Sequence, residues 1–535
     1  MKLTGKIIFI TSRNATLELE NYGKYDAKSP YDIYLNGTKW GASGKVVQPL
    51  YGLTPDTEYR LELVCGGETS EAILFRTDYE FVTLNVRRFN AVGDGVHDDT
   101  AAIQAAVMAC PPQGRVYLPK GTYRVTSIFL KSNLVIDIDR EATVVGTLER
   151  KDIAVLPGMT QSYDEQSDYN LGSWEGNPLD IFASMFTGIG VENVVITGGG
   201  TLDGRADFDN WWEDDRAKII AYRPRMIFLN HCKNVTVEGL TIQNSPSWNL
   251  HPYFSKGIRF IGLTILNPWN SPNTDGMDPE SVDGLDIIGI HYSLGDDCIA
   301  LKSGKFYMGN KYKTPCQNIE IRHCLMENGH GAVSIGSEMA GGVKHVHATD
   351  CQFKNTDRGL RIKTRRGRGK DAVVEDICFE NIEMDNVKTP FVVNSFYNCC
   401  DPDAHSDYVK CKEPLPVDDR TPAVNQLAFR GIRCHNTHVA AAFIYGLPEQ
   451  KIDSVEFTDV SVDYAENPVP MEPAMMDDIR EDITNMGLYI NNVKRLELNR
   501  VTVEGESGEK LDIHNIDELL IDGEATNSFI YKEDL

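Results

Sequence analysis

The sequence predicts an all-β protein, a right-handed parallel β-helix (residues 81–535) preceded by a small N-terminal β-sandwich domain (residues 1–80). Three observations carry this. Apolar residues recur at a fixed spacing over most of the chain. Short alternating segments bounded by turn residues fill the first 80 positions. The length of 535 residues exceeds what one ordinary globular core fills, as expected of a solenoid with an appendage.

In the N-terminal part the segments YDIYLNG, YRLELV and AILFRT read as strands, separated by Asn36-Gly37 and by Gly52-Leu53-Thr54-Pro55-Asp56. The run GLTPDTEYRLEL, followed by a strand ending FRT, resembles a type III fibronectin domain. A packing or spacer module is the favoured reading of it, ahead of carbohydrate binding. Next, GDGVHDDTAAIQAAV predicts a short helix capped by Asp99 or Thr100, with Ile103, Ala106 and Val107 on one face. Such a helix closes the open end of a sheet stack. His97, Asp98 and Asp99 read as turn and cap rather than as metal ligands.

The repeat follows. Val235, Ile258, Leu285, Ile319, Val346, Ile377, Leu427, Val455 and Leu496 serve as anchors, and the positions two, five and seven residues further on are again apolar or small. Alternation marks strands, and the break between offsets two and five marks a corner. The commonest repeat, about 23 to 34 residues, suits stacked β coils better than helical repeats. Cys324 and Cys351 fall at equivalent inward positions.

A second strand in each coil ends in Ser or Thr, at Ser255, Ser281, Ser303, Ser337, Thr364 and Ser395. Asp275 lies six residues before Ser281, and Asp297 six before Ser303. Asp296 lies seven before Ser303, and His330 seven before Ser337, while Arg361 and Lys363 lie just before Thr364. Neighbouring strands lie about 4.8 Å apart, so residues spread over 88 positions (363 minus 275) converge on one stripe. Three adjacent carboxylates cannot all ionise cheaply, and a retained proton suits general acid–base work at a glycosidic bond. Turn-forming aspartates alone do not explain their register with His, Arg and Lys.

Composition narrows the classes. At 41% apolar and 24% charged residues with a mean hydropathy of -0.31, the chain reads as globular, without a membrane-spanning run. The net charge of -25 argues against nucleic-acid or membrane partners, and makes a local basic patch necessary if the substrate is a polyanion. Among 12 cysteines no spacing fits a zinc site, and reduced, mostly buried thiols are expected in preference to a disulfide among Cys399, Cys400 and Cys411. The start MKLTGKIIFI reads as a strand, so the expectation is a cytoplasmic protein, or a secreted one if a leader has been removed.

The strings Asn273-Thr274-Asp275, Gly295-Asp296-Asp297, Gly329-His330-Gly331 and Arg361-Ile362-Lys363 resemble, in order and spacing, the signature motifs of glycoside hydrolase family 28, the polygalacturonases. The likeness extends through GTLDGR, Trp211-Trp212, Arg223-Pro224 and NSPSWNLH, over roughly residues 85 to 500. The resemblance implies that Asp296 is the general acid and that Asp275 and Asp297 hold and deprotonate the attacking water. Inversion would follow, with neither metal nor other cofactor. It implies that His330 tunes the acid and that Arg361 and Lys363 bind a galacturonate carboxylate; Asn273 and Lys302 join them as substrate-binding candidates. The tract RIKTRRGRGK, with Arg365, Arg366, Arg368 and Lys370, is the candidate basic patch, its outer members alternatively a solvated loop. The rhamnogalacturonan branch of the family lacks the His, so homogalacturonan or its oligomers is the expected partner.

Insertions at 157–180 (Tyr163, Tyr169, Trp174), 203–222 (Trp211, Trp212) and 394–423 (Phe396, Tyr397, Cys399, Cys400, Tyr408) either close one end of a cleft or simply pack. Closure favours exo release of galacturonate over endo cleavage. Two rival classes are a calcium-dependent lyase on the same fold, which gives an unsaturated product, and a non-catalytic β-helix binding protein. Oligomeric state is not readable from the sequence.

Overall fold

The structure, a computed structural model, describes residues 2–159, 170–214, 216–399, 403–475 and 481–526. Tyr163, Tyr169 and Cys400 lie outside the described residues. A 31-stranded, overwhelmingly parallel sheet winds from Val82–Asn85 to Glu524–Thr526 as a β-helix, right-handed as parallel crossovers are. A typical coil contributes three strands, such as Asp283–Ile288, His291–Ser293 and Ile299–Leu301.

The repeat is the interior. The anchors pair in unbroken succession from Val235 and Ile258 through Leu285, Ile319, Val346, Ile377, Leu427 and Val455 to Leu496. The positions seven further on pair likewise, from Ile242 and Ile265 to Val462 and Val503. Each pairing stacks one buried side chain on the next, and their apolar surface holds the solenoid together. Cys324 and Cys351, at the same offset in successive coils, are both fully buried, and their thiols donate to the carbonyls of Arg322 and Thr349.

Four residues after each anchor the chain turns a corner in the left-handed region. The residues there are Gly239, Gly262, Gly289, His323, Asp350, Asn381, Gly431, Asp459 and Arg500. At Gly239, Gly262 and Gly289 the N-terminal residues press on the corner. A Cβ at Gly289 would meet Val47 at 2.4 Å, and one at Gly262 would meet Pro49 at 2.8 Å.

Those N-terminal residues form two antiparallel sheets. One joins Gly5–Ile10, Ala15–Leu19 and Val47–Leu50; the other joins Asp26–Leu35, Thr38–Lys45, Glu58–Cys65, Glu68–Thr69 and Ile73–Arg76. Both contribute to one apolar cluster that takes in Ile261 and Ile288 of the solenoid. Arg322 donates to Glu18 at 2.6 Å across the same junction, and buried Glu238 accepts from Thr16 and Thr197. Burial, the largest influence, pushes the Glu238 carboxyl up to about 7.

The helix Thr100–Ala109 buries Ile103, Ala106 and Val107 in the main core at the solenoid's first coils. Its cap differs from expectation. Asp98 accepts the Thr100 N–H at 2.9 Å, whereas Asp99 turns back to accept from Gly93 at 2.9 Å. His97 pairs with Asp94 at 2.6 Å.

Candidate active site

The Ser/Thr-ended strands stack as the count from their ends requires, with one correction. Met277 pairs with Ile299, Ile299 with Val333, Val333 with Leu360 and Leu360 with Phe391. At the first coil Tyr253 pairs with Glu280, so Phe254, not Ser255, is the equivalent of Ser281. Ser255 is polar for a local reason: its hydroxyl donates to the Leu229 carbonyl and accepts from the Cys232 N–H.

Asp275 and Asp297 therefore occupy one register and Asp296 and His330 the next. Each of the three aspartates places an oxygen within 4.8 Å of the other two. Asp275 and Asp297 are buried and Asp296 is half-buried. Burial pushes the Asp275 carboxyl well up, and the neighbouring Asp278 and Asp296 add to this. Burial acts on Asp297 in the same sense, but there Lys363 and Arg361 outweigh it and hold the carboxyl well below the usual range. Lys363 donates to Asp297 at 2.7 Å and Arg361 at 3.2 Å. The two aspartates are thus shifted in opposite directions. The two cations expected to face a substrate carboxylate are bonded to Asp297 in this state.

His330 bonds through Nδ1 to Asp357 at 2.9 Å, and Lys388 donates to the other oxygen of Asp357 at 2.8 Å. The Asp357 hydrogen bond raises the imidazole above its ordinary value against the opposing effects of burial and Arg361, with help from Asp296. Asp357 and Lys388 are absent from the sequence-predicted set, yet the register finds them. Each lies seven residues before its strand end, Thr364 or Ser395, as His330 does before Ser337. Asp296, His330, Asp357 and Lys388 form one line across four coils.

Lys302 is buried, paired with Glu338 at 3.0 Å and Asp278 at 3.5 Å, and lies over the Trp248 ring at 4.9 Å. Asn273 accepts from Arg223 at 2.7 Å. Beneath them Arg225 lies 4.9 Å from the ring of Trp174 and 4.8 Å from that of Trp248. Trp211 and Trp212 are core residues packed with Phe182 and Ile153.

Two cavities meet at Asp296, sharing it with Asn273 and His330. The smaller, about 220 Å³, holds Asp275, Asp297, Lys302, Arg361 and Lys363. The insertions add Glu175, Arg216, Tyr397 and Cys399 to its lining. The larger, about 580 Å³, is also lined by Asp357, Lys388 and Trp269.

The arginine tract does not line these cavities. Arg366 is buried, bonded to Glu449 at 2.6 Å and to the carbonyls of Tyr408 and Cys411, and Arg365 pairs with Asp403 at 2.8 Å. These residues fasten the covering loop, and only exposed Lys370, paired with Asp419, fits the solvated reading. That loop also corrects the thiol expectation: Cys399 is disulfide-bonded, whereas the ten other described cysteines, Cys411 included, are free.

Removing the Asp357 charge gives a direct test of its hold on the imidazole. In Asp357→Asn the His330 titration midpoint, followed by NMR, should move down; an unchanged midpoint would show that the contact is only structural. A His whose folded value is raised contributes stability below its unfolded value of about 6.5 that is lost as pH rises through the folded value. The variant's stability deficit is accordingly expected on the acidic side.

The glycosyl hydrolases family 28 model matches residues 115–471. A probable polygalacturonase of Vitis vinifera is 31% identical over 385 residues, 70% of this chain and 73% of the relative. An endo-polygalacturonase of Pectobacterium parmentieri is 32% identical over 56% of this chain and 72% of its own length. The family 28 exopolygalacturonase of Yersinia enterocolitica superposes with a TM-score of 0.72 over 98% of this chain and all of that one, at 18% identity.

Proposed function

The chain belongs to glycosyl hydrolases family 28, and from that premise we propose that it hydrolyses the α-1,4-galacturonosidic bonds of homogalacturonan or its oligomers, releasing galacturonate from the chain end. The observation that carries the hydrolytic reading is the asymmetric carboxylate group. Against burial, Lys363 and Arg361 hold the Asp297 carboxyl well below its ordinary value, burial pushes that of Asp275 well above, and Asp296 lines both cavities.

Asp296 donates its proton to the glycosidic oxygen as the bond to the anomeric carbon breaks. Water held between Asp275 and Asp297 attacks that carbon from the opposite face and gives its proton to Asp297. The sugar product carries the new hydroxyl with inverted configuration, the leaving sugar carries the Asp296 proton, and a second proton exchange with solvent resets the pair. Two-carboxylate inverting sites keep roughly 6.5–9.5 Å between their groups to seat the water. Here a third carboxylate holds it, so the oxygens lie closer. His330, whose proton affinity the Asp357 hydrogen bond raises, lies beside Asp296 as it loses its proton. Arg361 and Lys363, bonded to Asp297 by one contact each, keep donors for a uronate carboxylate, the fork of the guanidinium matching it in shape.

Support for the exo mode comes from the smaller cavity. The insertions add Tyr397, Cys399 and Glu175 to its lining, and about 220 Å³ suits a single sugar rather than a passing chain. Product analysis over time on polygalacturonate and on short oligomers tests this. Galacturonate alone from the outset, with inverted anomeric configuration by NMR, is the expected result; a ladder of oligomers would mean endo cleavage. An unsaturated product lost on chelation would instead mean a lyase.

A further inference from the structure

Seven of the ten described free cysteines are buried, and packing accounts for them. Cys378 is different: it is half-buried on the strand Val373–Glu380, whose residues Ile377 and Phe379 face the core while Cys378 and Glu380 face outward. A thiol turned towards water on a regular strand needs another reason.

The coil register supplies its neighbours. Glu320, His347 and Cys378 are cross-strand partners in three successive coils, and Glu380 follows Cys378 on the same face. One donor atom each of His347, Cys378 and Glu380 lies within 4.8 Å of those of the other two. The imidazole stands between carboxylates, Nδ1 at 3.4 Å from Glu320 and Nε2 at 3.6 Å from Glu380. Arg430, the cross-strand partner of Glu380, donates to Glu456 instead, at 2.9 and 2.6 Å. Burial pushes the Cys378 thiol up, and the Arg430 charge opposes it.

We propose that Cys378, His347 and Glu380 form a site for a divalent cation of the zinc class on the outer face of the solenoid, with Glu320 orienting the imidazole. A set of thiolate, imidazole and carboxylate suits zinc, whereas magnesium and calcium take oxygen ligands. Donor atoms of a tetrahedral zinc site lie about 3.3–3.7 Å apart, so the separation of His347 and Glu380 is already close to what is needed. Glu320 accepts from Nδ1–H and leaves the Nε2 lone pair to the metal. Cys378 binds as the thiolate, releasing its proton to solvent, and water takes the fourth position. His347 and Cys378 are 31 residues apart in sequence (378 minus 347), so the coil register and not a short motif brings them together. The strands that carry them are not the ones that carry Arg361, Lys363 and the aspartates' coil partners, and the proposal does not depend on the hydrolytic reading.

The full chain, freed of metal by chelation, is titrated with Co²⁺ and then with Zn²⁺. A near-ultraviolet thiolate-to-cobalt absorption should saturate at one equivalent and disappear as Zn²⁺ displaces the cobalt. Cys378→Ser should abolish it, and Glu320→Gln should weaken binding about tenfold. His347→Ala should weaken it more. Cys65→Ser and Cys411→Ser, which change the other two half-buried thiols, should leave it as it is. Zn²⁺ should raise the unfolding temperature of the wild type and not that of Cys378→Ser. Metal-free Cys378→Ser should unfold at the wild-type temperature and turn over galacturonan at the wild-type rate. Cobalt binding without thiolate absorption would overturn the proposal, leaving His347 as an ion-pair partner of two glutamates. An absorption that persists in Cys378→Ser would overturn it as well, because another thiol would then be the ligand.

Discussion

Asp296→Asn is expected to lower kcat on trigalacturonate by about 10³-fold, the contribution of a general acid, while leaving folding and oligosaccharide binding intact. The side chain is half-buried, and its hydrogen bond within the protein is the Asp297 N–H donating to Oδ1 at 2.9 Å. An asparagine oxygen accepts that bond equally well, so the loop geometry survives and only the transferable proton is lost. Asp297→Asn should be comparably inactive but also less stable, because Lys363 and Arg361 lose their buried counter-charge. Asp275→Asn should lose less, since burial pushes that carboxyl well up and the amide resembles its protonated form. Measured together with thermal unfolding, the three variants order the roles. Normal turnover by Asp296→Asn would refute catalysis at this site.

Most of the solenoid and the line of the site were legible because a parallel sheet converts sequence offset directly into position. A residue facing the interior must be apolar at the same offset in every coil, and so Val346 could be placed over Ile319 without a structure. The same arithmetic located Asp296 beside His330, and carried two coils further it reaches Asp357 and Lys388. It failed at Ser255, whose hydroxyl serves a turn rather than the register, so that the count from it runs one residue out. Trp269, Glu175 and Arg216 were beyond it altogether, because insertions carry no period and their landing place depends on contacts made after folding. Charge misled in a related way. The tract from Arg365 to Arg368 has the composition of a solvated polyanion site, yet Arg366 is buried against carbonyls and Glu449, and Arg365 pairs with Asp403. Composition counts charges and does not say which way they face.

Lys302→Met should destabilise the fold by about 3–5 kcal/mol, the cost typical of removing one member of a buried ionic group. Lys302 sits between Glu338 and Asp278, and both oxygens of Asp278 lack a hydrogen bond. Burial pushes both carboxyls up; at Glu338 the positive charges, Lys302 foremost, reverse this and hold the group well below its ordinary value. A carboxyl depressed in the folded state contributes stability above its unfolded value of about 4.3 that is lost as pH falls through the folded value. Without the lysine, burial acts on Glu338 unopposed by its main partner and the sign reverses: folding then favours the protonated form. The difference between variant and wild type should therefore be widest near neutral pH and narrow on acidification. Glu338→Gln added to Lys302→Met should recover part of the loss, since no isolated charge then remains at that position. Denaturant unfolding at two pH values decides the matter. A single-variant loss below about 1 kcal/mol, or one that grows as pH falls, would mean that Arg225 and solvent neutralise the buried carboxylates without the lysine.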